Sequence, residues 1–230
     1  MSNCILSYPG SGNNLTRFFM ELMSEQPTIG WDAVPEDVAI CKATFSKPVP
    51  FNISDTTPPI YKKEHIVPGP ERNYDRLIIL LRNPKEVIVR QGGFNLRNVL
   101  DGYFIKTETI NLHFNMYFNM VNYYNNFKGP KKVFYYEDML TNKTQFVKEL
   151  YDFLDINKPE KLKYALDNID ELYEMSLKGT NRIWLGAKSD ISLSYYFKKL
   201  QEPSQRFFCE EFSLFLNAAG SDIVKARYSV

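Results

Sequence analysis

The residues best suited to chemistry stand near the start of the chain. Tyr8-Pro9-Gly10-Ser11-Gly12-Asn13-Asn14 follows a short apolar run, Cys4 to Ser7, and precedes Leu15-Thr16-Arg17-Phe18-Phe19-Met20-Glu21-Leu22-Met23. This reads as strand, tight loop, helix. Gly10 and Gly12 permit positive φ and close approach of the backbone to a ligand. Ser11, Asn13 and Asn14 add side-chain donors. The N–H groups that open the helix face the same loop, and the helix dipole favours an anion there. The loop suits a phosphate or a sulfate. On these residues alone, an ordinary Gly-rich strand–turn–helix corner fits equally.

Two familiar phosphate loops are excluded. A Walker A loop needs Gly-x-x-x-x-Gly-Lys-Ser/Thr, but Leu15 stands five residues after Gly10 and Arg17 five after Gly12. No Lys-Ser/Thr pair follows to hold Mg²⁺. A dinucleotide loop needs Gly-x-Gly-x-x-Gly, and Asn13-Asn14-Leu15 follows Gly10-Ser11-Gly12.

A second candidate is Arg82, in Arg82-Asn83-Pro84-Lys85-Glu86-Val87. An Arg at the carboxyl end of a strand offers a planar fork matched to phosphate oxygens. The chain has two histidines, His65 and His113. His113 falls on an aromatic helix and reads as a core or cleft-lining residue. His65 closes the string Lys62-Lys63-Glu64-His65, and the neighbouring Glu64 is an alternative carboxylate base.

These residues need a frame. Arg76 to Leu81 is the clearest strand, continuously apolar after Arg76, as a central parallel strand covered on both faces should be. Lys85 to Gln91 starts a helix, with Pro84 at its first turn. Asp101 to Phe127 is expected to be helical, with Leu112, Met116, Met120, Val121 and Tyr124 on one buried face. Lys131 to Tyr136 is the next strand. A helix capped near Thr141 or Asn142 follows, with Phe146, Val147, Leu150 and Leu154 inward. Asn157-Lys158-Pro159 breaks it, and Pro159 to Leu172 is helical again. Lys178 to Ser192 reads as a polar loop. Ser204 to Ala219 is a helix with Phe208, Phe212, Phe215 and Ala219 inward and Gly220 as its stop. Earlier, Glu25 to Gly30 reads as a turn, Val38 to Thr44 as a short strand, Phe45 to Pro59 as loop and Ile60 to Val67 as a short mixed segment. Strands alternating with helices argue an α/β fold of three layers around a mainly parallel sheet. Ligands in such folds sit beyond the carboxyl ends of the strands, so the loops after Ser7, Leu81 and Tyr136 should converge on one cleft.

The bulk properties set bounds. The 230 residues, 44% of them hydrophobic, fit a single domain over 1–230 with a sizeable core. A formal net charge of +1 gives no broad attraction to nucleic acid or membrane. Cys4, Cys41 and Cys209 fit no zinc spacing and no disulfide framework. Their isolation, and a first strand that begins almost at Met1, point to a reducing, cytoplasmic setting. The longest strongly apolar run, Leu77 to Leu81, is too short to span a bilayer. Oligomeric state is not legible.

The motifs taken in order resemble those of the PAPS-dependent sulfotransferases, where PAPS is 3′-phosphoadenosine-5′-phosphosulfate. Tyr8, Pro9, Ser11, Gly12 and Asn13 match that family's sulfate-donor loop. Gly10 stands where the family has Lys or Arg, and Leu15 where it has Trp. Arg82 to Val87 resembles Arg-Asn-Pro-Lys-Asp-Val, whose Arg binds the 3′-phosphate. Eight residues on, Arg90 stands in place of a Ser that shares that phosphate. Tyr136 to Met139 resembles Tyr-Glu-Asp-Met, whose Tyr contacts adenine; by itself Tyr136 is equally a core aromatic. Lys63 and His65 match Lys-x-His, which implies His65 as catalytic base and Lys63 beside the transferred group. Imidazole, with a pKa near ~6.5, can take a proton from a hydroxyl at neutral pH. Lys178 and Gly179 partly match a closing Arg-Lys-Gly loop, with Leu177 in the place of the Arg and Arg182 or Arg90 as substitute charge.

The resemblance covers Tyr8 to about Gly179 and implies the P-loop-like sulfotransferase fold. It implies transfer of a sulfuryl group from PAPS to a hydroxyl or amine of an acceptor the sequence does not name, with no metal. The rivals are a kinase-like phosphotransferase of the same fold, which would depend on Mg²⁺-ATP, and a non-catalytic PAPS-binding or PAP-binding protein, which Gly10 motivates.

Overall fold

In the computed structural model the described residues are 3–30, 53, 57–92, 104–178 and 195–229. The strands are β1 (Asn3–Ser7), β2 (Thr28–Ile29), β3 (Tyr61–Glu64), β4 (Arg76–Leu81) and β5 (Lys131–Tyr135). The helices are α1 (Asn13–Ser24), α2 (Pro84–Gly92), α3 (Thr107–Asn126), α4 (Tyr136–Thr141), α5 (Lys143–Leu154), α6 (Pro159–Asp167), α7 (Ile169–Lys178), α8 (Tyr195–Lys198), α9 (Glu202–Asn217) and α10 (Asp222–Tyr228).

The strands form one sheet in the order β2-β3-β1-β4-β5, parallel at every pairing. The most apolar strands, β1 and β4, lie side by side near the centre, with Ile5 opposite Ile78 and Leu6 opposite Ile79. Successive residues of a strand face opposite sides. Ile5, Ile78 and Leu80 therefore join one core with Phe18 and Phe19 of α1 and Leu150 of α5. Cys4, Leu6, Leu77 and Ile79 join a second core with Val87 of α2, Phe114 of α3 and Phe208 of α9. Helices cover both faces, which gives the expected three layers.

Local chemistry sets several ends. Asn142 caps α5, its side-chain oxygen accepting from the Gln145 N–H at 3.3 Å. Lys131 Nζ donates to the carbonyls of Tyr124 (2.9 Å), Asn125 (2.7 Å) and Phe127 (3.1 Å). It thereby satisfies the orphan carbonyls at the end of α3 and favours the dipole there.

The structure corrects parts of the sequence reading. Ile60 to Val67 contains a strand beside β1, hidden by its charges. The Glu64 side chain is buried all the same, because Arg72 and Tyr74 both donate to its carboxylate. The turn at Glu25 to Gly30 holds the short strand β2. Of the helix expected from Asp101, residues 101–103 lie outside the described residues, 104–106 are not helical, and α3 begins at Thr107. Its buried face is Ile110, His113, Phe114, Tyr117, Met120, Val121 and Tyr124, and Leu112 is 58% exposed. Tyr136 opens α4 instead of ending β5. Pro159 to Leu172 splits at Asn168 into α6 and α7. Ala219 is exposed. The expected strand Val38–Thr44 lies outside the described residues. Among the described residues, no helix is long and apolar enough to cross a membrane.

Candidate active site

The chain leaves β1 towards β2 on one side of the sheet and leaves β4 towards β5 on the other. That reversal opens a crevice at the carboxyl ends of β1 and β4, where the loop after β1, His65, Arg82 and Tyr136 come together.

The loop after β1 turns through a Ser11 N–H bond to the Tyr8 carbonyl at 3.1 Å. Gly10 and Gly12 have φ of 89° and 85°, a conformation that suits residues without Cβ. Gly12 is doubly required, since a Cβ there would lie 2.5 Å from Cδ2 of Tyr136. Helix α1 starts at this glycine without a side-chain cap and without an acidic residue in its first turn. The positive end of α1 is thus left for an anion. Ser11 is fully buried, and its hydroxyl has no hydrogen-bond partner. Asn13 Oδ1 is likewise buried without a partner. Unpaired buried polar atoms are costly, and the oxygens of a bound anion would satisfy the Ser11 hydroxyl. Asn13 Nδ2 is turned away from that task and donates to Ser7 Oγ at 2.8 Å. Asn14 is the second residue of α1.

Arg82 reaches across from the end of β4. It donates to the Gly10 carbonyl at 2.9 Å and to Glu86 Oε1 at 3.3 Å. Its guanidinium lies 4.1 Å from the centre of the Tyr136 ring. Tyr136 therefore packs between the arginine and Gly12. Arg90, one helical turn beyond Glu86, approaches the same carboxylate oxygen at 3.8 Å. Arg82 and Arg90 thus converge through a residue that the sequence reading passed over.

His65 follows β3 directly. Its Nδ1 is 2.7 Å from the Ser7 carbonyl oxygen and 3.4 Å from Ser7 Oγ. A carbonyl only accepts, so in the neutral ring Nδ1 carries the proton and Nε2 the lone pair. Lys63 is buried on β3 opposite Ile5. Lys178 ends α7. Gly179 and Arg182 lie outside the described residues.

Behind the loop, the Tyr8 hydroxyl and His113 Nδ1 are 2.6 Å apart. Burial raises the Tyr8 pKa and lowers that of His113, so the pair is neutral. Burial also pushes Tyr173, which interacts with Tyr136 and Arg82, up to about 12. Sequence reasoning missed Ser7, Glu86 and Glu137 as parts of the site. Glu86 and Glu137 did stand inside recognised strings, but nothing in the sequence showed which way their carboxylates point.

A sequence model of the sulfotransferase domain matches residues 4–199. The chain belongs to the sulfotransferase domain family and is, by that membership, a sulfotransferase. Its fold is similar to that of mouse sulfotransferase SULT7A1, solved in complex with PAP. The TM-score is 0.55 at 17% identity, over 98% of this chain and 88% of that one. At that identity the likeness is one of fold. No curated protein matches the sequence.

Proposed function

We propose that this chain moves a sulfuryl group from PAPS to a hydroxyl or amine of an acceptor, in the crevice beyond β1, β3 and β4. The observation that carries the reading is the bond from Arg82 to the Gly10 carbonyl. It brings a phosphate-binding fork beside an uncapped, Gly-rich helix start, two anion-binding elements such as a nucleotide with two anionic groups requires. The family match and the PAP reported for mouse SULT7A1 support the same donor.

Bound PAPS would supply an electrophilic sulfur on a phosphate leaving group. The residues of this chain do the rest. His65 Nε2 takes the acceptor proton as the acceptor oxygen or nitrogen bonds to sulfur. The N–H groups of Gly10, Gly12, Asn13 and Asn14 and the Ser11 hydroxyl hold the charge that grows on the leaving oxygen as its bond to sulfur breaks. Lys63 supplies a cation on the β3 side. Arg82 and Arg90 hold the 3′-phosphate, the Tyr136 ring takes the adenine, and Lys178 and Gly179 contribute to binding the nucleotide. None of these roles calls for a metal. The chain works as one cytoplasmic domain, with a small-molecule donor and acceptor and neither nucleic acid nor membrane as partner.

Incubation with sulfur-labelled PAPS and a panel of sugars, phenols, steroids and peptides tests the reading. Label should appear on one acceptor class. Transfer from Mg²⁺-ATP instead of PAPS would replace it with the kinase reading. Tight PAP binding with no transfer to any acceptor would leave a binding protein, the alternative that Gly10 favours.

A further inference from the structure

The peptide bond that joins Arg82 to Asn83 is held from both sides by side chains. Its carbonyl accepts the Tyr117 hydroxyl of α3 at 2.9 Å. Its N–H donates to Glu137 Oε1 of α4 at 3.0 Å. A trans peptide presents these two groups in opposite directions, so the pair fixes the plane of the unit. The other Glu137 oxygen, Oε2, accepts the Tyr228 hydroxyl of α10 at 2.6 Å. Burial raises the pKa of both tyrosines, and they remain hydroxyl donors.

The position of this clamp is what gives it meaning. Residue 82 is the first beyond β4, where the sheet ladder ends. Arg82 is thus held by the ladder on one side and by the clamp on the other. Its guanidinium must cross to the loop after β1 and reach Gly10. Rotation about the N–Cα bond of Arg82 would turn its Cα–Cβ bond and the following peptide together and carry the fork away from its target; a peptide held on both edges resists that rotation.

We propose that Tyr117, Glu137 and Tyr228 are positioning residues that aim Arg82 at the 3′-phosphate of the donor. None of them touches the nucleotide in this scheme. The inference rests on the donor reading above, and it adds that recognition of the 3′-phosphate depends on a hydroxyl of α10.

The test compares PAP with AMP, which lacks the 3′-phosphate, by calorimetry, with a melting curve for each variant. Tyr228→Phe and Tyr117→Phe should each lower PAP affinity about three- to tenfold, the worth of one hydrogen bond, while AMP affinity stays nearly constant. The control is Tyr135→Phe. The Tyr135 hydroxyl also ties α10 to the body, donating to the Ile223 carbonyl at 2.7 Å; its ring packs edge-on against Tyr228, and Tyr135→Phe keeps that ring contact while removing only the hydroxyl bond. Tyr135→Phe should lower the melting temperature and leave the PAP-to-AMP ratio alone. If Tyr228→Phe does not fold, Tyr117→Phe is read in the same way. An unchanged ratio in the folded clamp variants, or an equal change in Tyr135→Phe, overturns the inference while the donor reading stands. A wild-type protein that binds PAP and AMP alike overturns both.

Discussion

Nδ1 of His65 and the carbonyl oxygen of Ser7 are 2.7 Å apart, at the carboxyl ends of neighbouring strands. The contact selects one tautomer and leaves the lone pair on Nε2, the nitrogen a general base needs. The adjacent carboxylate is already engaged, because Glu64 is held by Arg72 and Tyr74. His65→Ala should therefore lower single-turnover transfer by about 10²–10⁴-fold, with PAP affinity nearly unchanged. Glu64→Gln should cost stability and keep most of the turnover. If Glu64→Gln abolishes transfer in a folded protein and His65→Ala does not, the base is misassigned.

Arg82 and Arg90 meet on one oxygen of Glu86, at 3.3 Å and 3.8 Å. Arg82→Ala should remove about 1.5–3 kcal/mol of PAP binding, the range for a hydrogen bond to a charged group. Arg90→Ser should weaken binding less. Because the two share a partner, their effects should couple in a double-mutant cycle measured by calorimetry. Strict additivity would separate Arg90 from the phosphate.

The two loop glycines should answer differently to alanine. Both have positive φ, which costs a residue with Cβ about 1–2 kcal/mol. Among the described residues, a Cβ at position 10 meets only Val87, at 4.0 Å, whereas one at position 12 runs into Tyr136 and Met139. Gly12→Ala should thus lose more melting temperature than Gly10→Ala, and it should also lose PAP binding as Tyr136 is displaced against Arg82. Equal losses would mean that φ strain alone governs the loop.

The Tyr8–His113 pair gives a pH dependence with a definite sign. Burial depresses the His113 pKa below its ordinary 6.5. Its contribution to stability is therefore present above pH 6.5 and is lost as the pH falls through the folded-state value. Burial raises the Tyr8 pKa above its ordinary 10.0, so that contribution is present below pH 10 and fades as the pH rises further. Melting temperatures measured across this range should show both shoulders. His113→Gln should flatten the acid one; an unchanged acid limb would assign it to other groups.

The sequence made the two ends of the site legible, because each was a contiguous string at the end of an apolar strand. Gly10 to Asn14 and Arg82 to Val87 needed only their neighbours to be placed. The convergence of the loops after Ser7, Leu81 and the Tyr135–Tyr136 stretch followed from the α/β pattern. β3 was not legible, since Lys62-Lys63-Glu64 looks like surface until Arg72 and Tyr74 are seen to neutralise it. The inward face of α3 was misjudged at Leu112, because several apolar stripes fit a helix so rich in aromatic residues. α10 was passed over as well. Its seven residues are too few to show a period, and its bond to Glu137 spans 91 positions.

That span bears on how the protein is made. α10 leaves the ribosome after every other described element, and domains begin to fold from their amino-terminal side during synthesis. The sheet and the Gly-rich loop can assemble while the nascent chain still lacks Tyr228. The Arg82–Asn83 peptide is fully gripped only once α10 has docked, so the setting of Arg82 waits on an element synthesised well after the sheet that carries it.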